Sequence, residues 1–272
     1  MTSINTNVGA LNARTNAINA TSKMESAMQR LSSGLRINSA SDDAAGLAVA
    51  GKMESQLRGI NMAVRNAQDG VGLIQTAEAG LNEIRNMVLR IRELAVQMAN
   101  GIYENTPDRV NAQLEVSALI SQVTLIAENS TFNDVKLLDG SFTSVTIQAG
   151  NTTAETIELS FIDVASSGLS INAATVATQS DATVAIGTMD SALQTIAGEQ
   201  AKMGSYINRL NFSVANLSKA SVMTEQAIGR VMDADFAAET TNLSKQQILN
   251  QAATSMLAQA NQSKQSILAL LQ

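Results

Sequence analysis

From Leu57 to Met98 the chain repeats an apolar residue every seven positions. Ile60, Ala67, Ile74, Leu81, Val88 and Ala95 form one row, with Leu57, Val64 and Val71 at the second seam position. The register then slips by one residue, and Ala77, Ile84, Ile91 and Met98 take over the second row. A seam with a period below 3.6 predicts a left-handed supercoil, and this stretch as a helix is roughly 60 Å long. Only one Pro interrupts 272 residues, so little breaks such helices. Narrow seams on long helices cannot wrap a globule; they pack side by side.

The same period recurs near the end of the chain. Met189, Leu193, Ile196, Met203, Ile207, Leu210, Val214, Leu217, Ile228 and Val231 keep a 4-3 spacing, with Gln200, Ser221 and Thr224 in the remaining positions. A weaker continuation runs through Phe236, Leu243, Leu249, Ala253, Met256, Ala260, Ile267 and Leu271. At the front, Ile4, Val8, Leu11, Ile18, Met28, Leu31 and Leu35 mark another helix, which Gly34 is placed to stop in a left-handed cap. A helix is expected from Ser41, with Asp42 and Asp43 in its first turn against the positive helix end. Another is expected from Thr106, with Pro107 at its first position and Val110, Leu114, Ala118 and Leu125 as its apolar face. Residues 141–185 are rich in Ser and Thr, and Val145, Ile147, Ile157, Leu159 and Phe161 alternate with polar neighbours about Gly150-Asn151, which predicts a β-hairpin. The fold class expected is mainly α, a long antiparallel coiled-coil-like helical rod with a small β-hairpin region.

Residue types exclude much chemistry. Without Cys or His there is no disulfide, zinc finger, thiol nucleophile or Ser-His triad. A net charge of −6, with no Lys/Arg cluster, argues against nucleic acid. No stretch is expected to span a bilayer, and the first residues lack the basic and apolar regions of a cleavable signal, which leaves the cytoplasm or an uncleaved export route. Asp42-Asp43 reads as helix-terminal charge rather than a catalytic pair. Leu89 to Ala95 places charge beside a seam, either for ion pairing between helices or as a recognition patch. Asn151-Thr152-Thr153 and its neighbours read as a solvated outer surface, with O-linked sugar as the alternative.

Both terminal helices carry many Ala, Ser, Thr and Gln at seam positions, too few large side chains to offset their ordering entropy alone. The chain nevertheless ends in Ile267, Leu268, Leu270 and Leu271. An apolar end on a weak helix predicts an assembly surface.

Leu31 to Ala48 (LSSGLRINSASDDAAGLA) resembles the N-terminal signature of bacterial flagellin, as do Gln68-Asp69-Gly70, Leu73 to Glu78, and Phe132-Asn133 with Lys136 to Gly140. Ala252 to Asn261 (AATSMLAQAN) and the following Ile267 to Leu271 resemble the flagellin C-terminus. The resemblance implies a non-enzymatic filament subunit, with no cofactor or metal. It implies an inner, channel-lining domain from residues 1–40 and 232–272, and a rod from 41–231 with 141–185 as its outer β piece. Val8, Leu11, Ile18, Leu31, Leu249, Met256 and the terminal Ile267, Leu268, Leu270 and Leu271 would then form the polymerisation interface. Ile60, Ile74, Leu81, Val88, Leu193, Ile207, Leu210 and Leu217 would hold the rod seam.

The partners implied are further copies of the chain, a flagellar export chaperone at 232–272, the filament cap and hook–filament junction proteins. Arg90, Leu94 and Glu115 match a patch read by the flagellin-sensing Toll-like receptor, although position 89 is Leu where that pattern usually has Gln, and Met98 also departs from it. The implied location is an extracellular filament reached without signal cleavage, with neither nucleic acid nor membrane insertion. A hook–filament junction protein with flagellin-like ends is the alternative. The absence of His and of an H-E-x-x-H motif argues against a zinc-protease insert, and an intracellular coiled-coil scaffold leaves the apolar terminus unexplained.

Overall fold

The computed structural model describes residues 6–142 and 144–269, with the side chains of 267–269 left out. Five helices dominate: α1 (Val8–Ser33), α2 (Ala44–Met98), α3 (Asp108–Asn129), α4 (Gln179–Met232) and α5 (Phe236–Ala269). Two short antiparallel hairpins lie between α3 and α4: β1 (Thr131–Phe132) with β2 (Val135–Lys136), and β3 (Val145–Gln148) with β4 (Thr156–Leu159). The chain divides into two compact units, one from residues 1–57 and 222–272, the other from 58–221.

Helix ends follow local chemistry. α1 starts where Asn7 Oδ1 accepts the Ala10 N–H and stops at Gly34, whose φ of 73° suits a residue without Cβ. α4 starts at Thr178, whose hydroxyl accepts the Asp181 N–H while donating to the Asp181 carboxylate. Asp235 Oδ1 accepts from Ala237 and Ala238 at the start of α5.

Two expected starts move. α2 begins at Ala44 rather than Ser41, because Asp43 Oδ1 takes the Gly46 N–H at 2.9 Å and so caps the helix itself. Asp42 instead ties the preceding loop, accepting from the Asn38 and Ser39 N–H groups and the Ser39 hydroxyl, with Arg30 Nη2 at 3.3 Å. α3 begins at Asp108, and Pro107, after a cis peptide, stands at the cap rather than inside the helix.

In unit 58–221, α2 and α4 run antiparallel in a single register. Arg92 meets Asp190, Asn82 meets Gln200, and Asn61 meets Ser221, so steps of 10 and 21 residues on α2 are matched on α4. The heptad row Ile60, Ala67, Ile74, Leu81, Val88 and Ala95 is buried throughout. Leu57, Val64 and Val71 are only half-buried, whereas Ala77, Ile84, Ile91 and Met98 after the slip are fully covered. Antiparallel α3 lies beside this later stretch, so both rows are then needed. Gly80 permits the approach: a Cβ there would stand 2.6 Å from Ser130 Oγ and 3.0 Å from Leu138 Cδ1.

α3 presents a different face from the one expected. Val116, Val123 and Ala127 point into the core, while Val110, Leu114 and Leu125 are exposed. The helix is apolar on two sides, so spacing alone could not choose between them. For the same reason α3 reaches a mean hydropathy of 1.2 over 18 residues, long and apolar enough by composition to cross a membrane, against the expectation that no stretch would. Its inward side chains are instead part of this unit's core.

The expected hairpin forms, with Val145 opposite Leu159 and Ile147 opposite Ile157. Phe142 and Phe161 stack beneath it, ring centroids 4.9 Å apart. β1 and β2 were not expected. Their turn places Asn133 and Asp134 at φ 49° and 63°, the left-handed pair that closes a two-residue hairpin.

Candidate functional site: the terminal helix pair

In the unit formed by both chain ends, α1 and α5 run antiparallel and close, with Cα atoms within 8 Å. Asn7 Nδ2 bonds to the Ala260 carbonyl, Asn250 Nδ2 to Thr21 Oγ1, and Leu35 bridges Asp233. The linkers to the other helices are laced together by main-chain bonds from Arg36 N–H to the Met232 carbonyl and from Ala234 N–H to the Gly34 carbonyl. The Arg36 guanidinium also holds the Val231 carbonyl at 2.6 Å.

Small side chains make this closeness possible. The buried residues of α1 are Ala13, Ala20 and Ala27, seven apart, and Ala253 is buried on α5. Each buried methyl stabilises by roughly 0.8 kcal/mol. Ordering each backbone residue costs about 1–2 kcal/mol. An alanine seam therefore cannot hold two long helices by burial alone.

The large apolar residues point the other way. Val8, Leu11, Ile18 and Met256 are more than half exposed, Leu249 is 45 % exposed, and Leu31 is half-buried. Phe236 and Ile248 on α5 are also exposed. Between the helices lies an open groove of about 800 Å³, floored by Ala13, Ala20 and Ala253 and edged by Leu249 and Met256. Ile267 and Leu268 belong to the last turn of α5, but their side chains, and all of Leu270 and Leu271, lie outside the described residues.

Among the expected rod-seam residues, Ile60, Ile74, Leu81, Val88 and Leu210 are buried, and Leu193, Ile207 and Leu217 are half-buried. Arg90 and Glu115 come together across α2 and α3, Nε to Oε1 at 2.9 Å, with Glu93 3.3 Å from the same guanidinium. Their carboxylates, Glu115 foremost, raise the Arg90 pKa. Leu94 belongs to the core, 4 % exposed. The patch thus presents its charges and withholds its leucine.

Two polar residues of the core escaped sequence reasoning. Arg109 is buried and donates to the carbonyls of Met98, Asn100 and Tyr103 and to Asn105 Oδ1. Glu199 is buried on α4, its Oε1 without a hydrogen-bond partner and 3.7 Å from Lys202 Nζ. Burial raises its pKa, partly opposed by Lys202 and by the Ile162 N–H. The one signal for each was a charge at a heptad position, Arg109 seven before Val116 and Glu199 three after Ile196. Among the described residues no cluster suits a metal.

The bacterial flagellin N-terminal helical region matches residues 4–143, and the flagellin C-terminal helical region matches 186–271. A flagellin of Halalkalibacterium halodurans is 40 % identical, over 98 % of this chain and 99 % of its own. The flagellar filament 33 kDa core protein of Treponema phagedenis is also 40 % identical, with the same coverage. The crystal structure of Bacillus cereus flagellin is 32 % identical with a TM-score of 0.52, over 56 % of this chain and 88 % of that one. With both helical regions matched in order and relatives aligned from end to end, the chain belongs to the bacterial flagellin family.

Proposed function

We propose that this chain is the structural subunit of an extracellular flagellar filament, and that its terminal helices are the joint between copies. The observation that carries the reading is the inverted pairing of α1 and α5: alanines face inward and Val8, Leu11, Ile18, Leu249 and Met256 face outward. A helix pair that exposes its largest apolar side chains is completed by association. Relatives named for flagellin and for the filament core supply the partner, another copy of the same chain. Contacts that do not close on themselves extend into a filament.

On this reading residues 1–40 and 232–272 form the inner layer, and Ile267, Leu268, Leu270 and Leu271 are buried on assembly. Residues 41–231, with the hairpin segment outward, carry the load between layers. The role is mechanical, with no catalytic step. The same apolar face of α5 is what an export chaperone would cover before assembly, in the manner of an amphipathic helix laid in a groove. Cap and hook–filament junction proteins would meet the ends of the polymer through the same helices. Export without signal cleavage, and recognition of Arg90 and Glu115 by an innate receptor, belong to the same reading and concern the free subunit.

Seeded polymerisation of the full chain and of a chain lacking 262–272, followed by electron microscopy, tests the proposal. Long filaments from the full chain only are expected. Normal filaments from the truncated chain would remove the terminus from the joint, and a full chain that merely caps seeds would point to a junction protein.

A further inference from the structure

Asn100 and Gly101 stand in the corner between α2 and α3 and are the chain's one Asn-Gly pair. Nothing in the fold requires glycine there. The residue is not in the left-handed region, and a Cβ would meet only the Gln179 side chain, at an ordinary 3.6 Å. Both residues are exposed. The Asn100 side chain is folded back, with Oδ1 accepting the Ile102 N–H at 3.2 Å. This Asx turn closes a ring that contains the Gly101 nitrogen.

We propose that Asn100 is a site of spontaneous deamidation through a succinimide, and that Arg109 directs the product. The Gly101 nitrogen gives up its proton and bonds to Asn100 Cγ. The Cγ–Nδ2 bond breaks and ammonia leaves, taking the proton. Charge develops meanwhile on Oδ1, where the Ile102 N–H already donates. Glycine leaves the attacking nitrogen unhindered. Asparagines on helices lack this freedom, since their main chain is held by the ladder. Asn129, for example, is tied through Nδ2 to the Leu125 carbonyl and precedes Ser130.

Water then opens the ring at either carbonyl. Arg109 Nη2 donates to the main-chain carbonyl of Asn100 at 3.0 Å. This bond polarises that carbon toward water. Opening there carries the chain through Cγ and leaves the carbon beside the guanidinium as a free carboxylate. The structure thus favours the isoaspartyl product. The acceptors already around Arg109 are neutral oxygens of Met98, Asn100, Tyr103 and Asn105, so the new carboxylate would pair with an otherwise uncompensated cation.

Peptide mapping by mass spectrometry, after incubation of the full chain in mildly alkaline buffer, tests both parts. The peptide holding Asn100 is expected to gain one dalton about tenfold faster than any other asparagine peptide, and Gly101→Ala to slow it by a similar factor. The isoaspartyl share is expected to be larger in the native chain than in denaturant. Conversion no faster than at other asparagines, or unchanged by Gly101→Ala, would overturn the site. Equal product ratios in native and denatured chains would overturn the role of Arg109.

Discussion

The Nε–H of Arg109, in the first turn of α3, donates to the carbonyl of Met98, the last residue of α2, at 3.0 Å. One guanidinium thereby closes the end of one helix and the start of the next. A cation at a helix C-terminus complements its dipole, and the remaining donors hold the intervening loop. Arg109→Met should lower the stability of unit 58–221 by roughly 1–3 kcal/mol, because the buried Met98 carbonyl and the part-buried carbonyls of Asn100 and Tyr103 lose their donor. Arg109→Lys should recover part of this, since it keeps the charge but not the fork. Chemical denaturation with both variants checks the ordering, and equal loss from the two would make the guanidinium fork the whole effect and the charge none of it.

Leu210 is wholly buried on α4, in the middle of the antiparallel register with α2. Leu210→Asp leaves an unpaired charge among Leu and Ile side chains and should cost more than about 3 kcal/mol. Leu217→Asp, seven residues on and half-buried, should cost clearly less. Thermal unfolding of the two compares them directly.

Glu199 makes unit 58–221 sensitive to acid in the direction opposite to most carboxylates. Its pKa is raised by burial, so the folded chain binds the proton more tightly than the unfolded one. The stabilising contribution is then complete below the unfolded value and is lost as pH rises through the folded value. Glu199→Gln should therefore raise stability by about 1 kcal/mol once the pH has risen past the folded value, where the charge is buried, and leave it unchanged in acid. Melting temperatures across the acid range should converge for the two chains at low pH.

Ala20 sits in the tight seam between α1 and α5. Ala20→Leu should force those helices apart at a cost of about 1–3 kcal/mol and block polymerisation with it. Leu11→Ser, on the exposed side, should leave the free subunit's helicity intact and weaken assembly alone. Circular dichroism alongside sedimentation separates the two outcomes.

The heptad rows of α2 were legible because a seven-residue repeat has one structural meaning, and even the register slip before Ala77 marked where α3 joins. The Gly34 stop and the 145–159 hairpin were legible for similar local reasons. The α3 face was not. Val110, Leu114 and Leu125 form as regular a stripe as Val116, Val123 and Ala127, and spacing carries no information about which stripe meets the core. The β1–β2 hairpin was too short to show alternation. Arg109 and Glu199 passed unnoticed because the rows read from spacing ran through their neighbours Val110 and Gln200, and the tertiary packing turned the preceding residue inward in each case.

The sequence by itself determined that the chain forms long helices with narrow seams around a small β piece, since period, proline scarcity and capping residues act locally. Its motifs also determined the family. Tertiary structure decided which residues each seam turns inward. On α1 the choice fell on Ala13, Ala20 and Ala27 rather than Val8, Leu11 and Ile18, against any ranking by hydrophobicity. Close antiparallel pairing admits only small side chains between two helices, and that requirement exists only once the partner helix, more than 200 residues away in sequence, has arrived.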